Sequence, residues 1–119
     1  MPHIVLDRKI NLFEFARFFS PIFQKSPLIK ISTIYVEKNG LNALLPTVVI
    51  DEKHQEYFIQ ILTTENKTTI RLLPITDPVK TDTVKDSLAK VYFEIQKSNK
   101  DISVTKTNLQ EYLELGSLS

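Results

Sequence analysis

Apolar residues recur along this chain with two different periods, and the switches between them set out its elements. Residues 2–7 form a short apolar strand, and Asp7-Arg8-Lys9 turns the chain out of it. Asn11 and Glu14 then stand in capping-box spacing around Leu12, Phe13, Phe15, Ala16, Phe18 and Phe19. That spacing predicts a short helix, apolar over much of its circumference. Pro21 removes a helix donor and disfavours the α conformation at Ser20, so the helix stops there or restarts from Ser20. Ser26-Pro27 closes the segment. Residues 28–36 read as a strand, with Ile29 and Ile31 on one face and Lys30, Ser32, Ile34 and Val36 on the other. Asn39-Gly40 is a strong hairpin signal. The return strand from Leu41 is interrupted at Pro46, which marks an edge or a bend, and resumes over 47–50. A second hairpin joins strands at about 56–64 and 68–73.

Asp77-Pro78 predicts the start of a second helix, with the aspartate as cap and the proline preset for the first turn. Val84, Leu88, Val91, Tyr92 and Ile95 follow at helical spacing, and lysines and acids fill much of the remaining circumference. Ser98-Asn99-Lys100 ends this helix. A short strand begins at Ile102 and Val104. Asn108 and Glu111 repeat the capping-box spacing before Leu109, Tyr112, Leu113 and Leu115, with Gly116 as the stop of a small terminal helix.

The element order predicts one α+β domain over residues 1–119, with two β-α-β units forming a mixed sheet of four to six strands and the helices on one face. Apolar residues occur at both parities of the strands, as with Tyr57, Ile59 and Ile61 against Phe58 and Leu62. The uncovered face is therefore expected to pack in a homo-oligomer. Five phenylalanines between positions 13 and 23 exceed what one core-facing stripe uses, which points the same way.

Length and composition narrow the classes. A chain of 119 residues buries about two thirds of its unfolded surface, so neither disulfide nor metal is required for folding. Fifteen basic residues against fourteen acidic ones, with no block of like charge, argue against nucleic-acid and anionic-membrane partners. The absence of cysteine excludes thiolate chemistry. No run reaches the ~18 apolar residues of a membrane span, and no secretory leader is evident, so a cytoplasmic location is expected.

Chemistry is concentrated at the head of the chain. Loss of Met1 would turn Pro2 into a secondary amine at the start of a strand. Unperturbed α-amino groups titrate near ~7.7–8.0, and desolvation would lower that toward neutrality, where the amine serves as a general base. The plainer role for Pro2 is to open an edge strand. Met1-Pro2-His3-Ile4-Val5, the Ser26-Pro27-Leu28 entry to a strand, the Tyr57-Phe58-Ile59 strand and the long helix before Ile102-Ser103-Val104 together resemble the tautomerase superfamily, most of all the 5-carboxymethyl-2-hydroxymuconate isomerases. The resemblance implies a homotrimer, a cofactor-free reaction and a proline that moves a proton on an unsaturated keto acid. It also implies cations that hold the substrate carboxylate. The family's arginine in the second strand has no counterpart here, which leaves Lys30, and Arg8 and Lys9 after the first strand, as candidates to bind a small carboxylate.

Other polar residues have plainer roles. His54 among Asp51, Glu52 and Glu56 matches no metal motif and reads as a solvated loop. His3 reads as a hydrogen-bonded structural histidine, Arg71 as an outward or intersubunit side chain, and Tyr92 as core. No phosphate-binding glycine loop or serine-nucleophile signature is present. Two function classes remain: a tautomerase or isomerase working through Pro2, and a non-catalytic, oligomeric binding or scaffold protein.

Overall fold

The computed structural model describes residues 1–117. In chain order the elements are β1 (His3–Leu6), α1 (Leu12–Phe18), β2 (Ile22–Gln24), β3 (Leu28–Ile31), β4 (Tyr35–Val36), β5 (Asn42–Ile50), β6 (His54–Thr63), β7 (Thr68–Leu72), α2 (Asp82–Ser98), β8 (Val104–Thr107) and α3 (Gln110–Ser117). The strands make one curled sheet of order β2-β3-β5-β6-β7-β1-β8, with β4 paired to β5 beyond the end of β3.

The α+β class holds, and the two β-α-β units do not. Every pairing between neighbouring strands is antiparallel. The first predicted unit fails outright, because α1 leads from β1 to β2 at the far side of the sheet. The second survives in altered form: β7 and β8 run parallel on either side of β1, and α2 crosses between them. The N-terminal strand has been inserted into the gap.

The sheet curls around α2. Ile4, Leu6, Ile29, Ile31, Leu45, Val49, Ile59, Ile61, Ile70 and Leu72 project inward and are buried, and from the helix Val84, Leu88, Val91 and Ile95 meet them with no exposed surface. Helix α3 packs on α2, and α1 sends Leu12 and Phe15 into the core. Helix α2 thus lies on the inner side of the sheet, as its apolar spacing predicts, and Tyr92 is a core residue.

Four local expectations need correction. Residues 28–36 are two strands, separated by a break over 32–34, and Ile22–Gln24 is an additional edge strand. Helix α2 begins at Asp82 with the Thr81 hydroxyl accepting from the Val84 amide. Asp77-Pro78 instead lies in the irregular stretch between a turn at Pro74-Ile75 and α2, where Asp77 pairs with Lys80. Asn108 does not cap α3; its side chain accepts from the His3 amide at 3.0 Å and donates to the Met1 carbonyl at 2.8 Å, fastening the head of the chain. Gly116 lies within α3, where a Cβ would come 2.1 Å from the Phe93 ring, so close packing rather than termination requires glycine there.

Pro46 is the most instructive case, since it sits in the middle of a nine-residue strand with β6 along its whole length. Its partner Phe58 directs both its amide and its carbonyl away from β5, toward Thr76 and Leu73. The Phe58–Pro46 pair therefore needs no Pro46 N–H. The vacant amide position faces the break at 32–34 between β3 and β4, so the proline is locally at an edge.

Candidate functional site

Strand alternation places a second set of apolar residues on the outer face. Along β5, Leu44, Pro46 and Val48 alternate with inward residues, and along β6, Phe58 and Leu62 do the same; all five are half-buried. No helix covers this face among the described residues. Register then fixes one row across four strands: Phe23 opposite Lys30, Lys30 opposite Val48, and Val48 opposite Glu56. Phe23 is 61% exposed. Pro46, Val48 and Phe58 floor a trough of about 340 Å³, with Ser32 and Thr33 on one side, Thr76 on the other, and Lys30 and Glu56 at opposite margins.

The charges on that row are arranged in a definite way. Lys30 and Glu56 are two strand spacings apart, ~9.6 Å between backbones, and they do not pair with each other. Glu56 meets His54 at 3.3 Å, and Lys30 has no ion-pair or hydrogen-bond partner among the described residues. Two rows away, Arg71 Nε donates to Gln60 Oε1 at 2.9 Å, and Gln60 Nε2 donates to Asn42 Oδ1 at 3.2 Å. This bonding explains how a glutamine on the outer parity of β6 is only 6% exposed.

The structure does not gather the three residues singled out for proline chemistry. Pro2 is buried before β1 and does not line the trough. The Met1 carbonyl joined to it accepts from His3 Nδ1 at 2.9 Å as well as from Asn108. Arg8 lies past the other end of β1, six residues or ~20 Å along the strand. Its guanidinium is already engaged: Nε and one terminal nitrogen hold both Asp7 carboxylate oxygens, and the Asp101 carboxylate and carbonyl take two further bonds. These acids raise the Arg8 pKa further, and Arg8 in turn holds the Asp7 carboxyl below its usual range. Lys30 stands on β3, four strand positions from β1.

No family model, curated protein or solved structure matches this chain. Its chemistry is therefore read from its own side chains. His3 donates locally, as its structural reading predicts. The acids around His54 form no group able to hold a metal ion among the described residues. No helix of the described chain is long and apolar enough to cross a membrane. A second cavity, about 440 Å³ between α2, α3 and the turn before β3, is lined by Asp82, Asp86, Glu111, Lys90 and Tyr112. Its polar groups largely satisfy one another: Tyr112 bonds Asp82 at 2.5 Å, and Lys90 lies 3.6 Å from Asp86. Inside the sheet, the Tyr57 hydroxyl lies 2.6 Å from Ser87 Oγ, and burial pushes its pKa far above the ordinary phenol value. That hydroxyl is a structural contact in the core.

Sequence reasoning singled out Lys30 to bind a substrate carboxylate and missed the trough beside it. The signal was the apolar residues at both parities of β5 and β6; the interruption assigned to Pro46 concealed that β5 runs unbroken beneath it.

Proposed function

We propose that this chain is a non-catalytic binding module that associates through the outer face of its sheet. The observation that carries the reading is the row of Phe23, Lys30, Val48 and Glu56 over the Pro46–Phe58 trough: apolar surface with fixed charges, on a face that no helix of the described chain covers. Apolar patches of this kind on a small protein mark interaction sites. Its charged margins, Lys30 and Glu56, stand two strand spacings apart and are not bonded to each other, an arrangement suited to recognition.

The tautomerase reading requires Pro2, a cation and a cavity to converge. Pro2 and Arg8 lie at opposite ends of β1, Arg8 is committed to two aspartates, and Lys30 lies across the sheet. Intact-mass measurement and a proton-exchange assay on an enolic keto acid separate the two classes. The binding-module reading expects no turnover from chains with or without Met1. Turnover by the Met1-free chain that falls by roughly 10²–10⁴-fold when Met1 is retained would restore Pro2 as a general base and sink the reading.

A further inference from the structure

We infer that the partner of the outer face is a second copy of this chain, related by a twofold axis that runs parallel to β5 over Val48, so that Lys30 of each copy faces Glu56 of the other. The inference rests on the binding-module reading and gives it an occupant. The row Lys30–Val48–Glu56 carries a cation and an anion one strand spacing to either side of Val48. Rotation about an axis along β5 exchanges the two sides of the row, bringing each charge over its opposite. A surface that matches itself in this way is what an isologous dimer requires.

The remaining contacts agree. Lys30 has no partner within its own chain among the described residues, and Glu56 has only the exposed His54. Phe23 extends the row beyond Lys30, while Ile50, 43% exposed, lies one row along β5 from Val48. Burial of these side chains supplies apolar contact around the charges. The footprint is modest: β2, β3, β5 and β6 hold 3, 4, 9 and 10 residues, which at ~3.3 Å per residue and ~4.8 Å per strand give roughly 400 Å² of sheet. Side-chain relief enlarges the accessible area, which stays below the ~800 Å² per partner of a standard interface and suits a dimer that forms in the micromolar range.

Sedimentation equilibrium of the full chain between ~1 and ~100 µM tests the arrangement with wild type, Lys30→Glu, Glu56→Lys and the double reversal. Both residues are exposed, so all four proteins should fold, and matched denaturant melts check this. The wild type is expected to dimerise. Each single reversal sets like charges together at two places and should weaken the dimer at least ~10-fold. The double reversal restores opposite charges and should recover to within ~3-fold of wild type. A monomer throughout the range, a trimer, single variants that associate as well as wild type, or a double variant no stronger than the singles would each overturn the twofold pairing. A monomer without keto-acid turnover removes this pairing alone, whereas Met1-sensitive turnover removes the binding-module reading itself.

Discussion

Replacing Ser87 by alanine should cost more stability than replacing its partner Tyr57 by phenylalanine, although both changes delete the same hydrogen bond. Ser87 Oγ donates to the Val84 carbonyl at 2.6 Å, so its single proton is committed and the Tyr57 hydroxyl must be the donor of the 2.6 Å bond between them. Tyr57 is 3% exposed and Ser87 fully buried. In Ser87→Ala the Tyr57 proton loses its acceptor in a place where water cannot replace it, a cost of about 1–3 kcal/mol. In Tyr57→Phe the serine keeps its bond to Val84, and the loss is that of one net hydrogen bond, about 0.5–1.5 kcal/mol. The double variant has no stranded donor and should lie near Tyr57→Phe, well short of the sum. Urea unfolding read by far-UV circular dichroism, with the m value constant across the set, measures all three. Additivity within ~0.3 kcal/mol, or a Tyr57→Phe cost equal to or above that of Ser87→Ala, would refute the assigned bond direction.

Burial raises the Tyr57 pKa, so the folded state keeps its proton after the unfolded state has lost it. The linked stability is complete below the unfolded value near ~10, falls as the pH rises through the window up to the raised folded value, and loses that slope in Tyr57→Phe. Asp7 behaves oppositely: Arg8 lowers its pKa, so its contribution is present above the unfolded value and disappears as the pH falls through the lowered one. Arg8→Gln should flatten that acid limb in pH-dependent melts. Leu88→Ala, at a site with no exposed surface, should lower the unfolding free energy by about 2–5 kcal/mol in urea, and a loss under ~1 kcal/mol would contradict its packing. Gly116→Ala should cost about 1–3 kcal/mol through overlap with Phe93, and Phe93→Leu in the same chain should recover part of it, a coupling that a double-mutant cycle reads directly.

The elements that were legible are those whose residues answer to one constraint. Val84, Leu88, Val91 and Ile95 need only face a core, and helical spacing records that need. Asn11 bonds the Glu14 amide as its spacing predicts, because a first helical turn is a local event. Asn108 has the same spacing to Glu111 and does something else. By the time β8 is in place, the His3 amide and Met1 carbonyl lie within its reach, more than a hundred residues away in sequence, and they take its side chain. Capping propensity cannot register that competition. Thr81 likewise supersedes Asp77 because Gln55 holds the intervening Val79 through its amide and carbonyl, at 2.7 and 3.2 Å, and keeps that stretch out of the helix.

Element order by itself does not determine which strands touch, and this is where the β-α-β expectation parted from the fold. A strand, a helix and a strand are compatible with a parallel crossover, with the split crossover of β7-α2-β8, or with the long passage from β1 to β2. Insertion of β1 between β7 and β8 selects among them, and it depends on the register of His3 with Arg71 and of Ile4 with Thr107, pairings between opposite ends of the sequence. That same insertion buries Pro2 and places Arg8 beside Asp101, so one topological step both replaces the expected sheet and sets the surroundings of both residues. It leaves Lys30 where its strand parity already put it, on the outer face beside Val48 and across from Glu56. The charged row is thus fixed by alternation and hairpin register within β3, β5 and β6, whereas the places of Pro2 and Arg8 within the chain depend on the long-range pairing of β1.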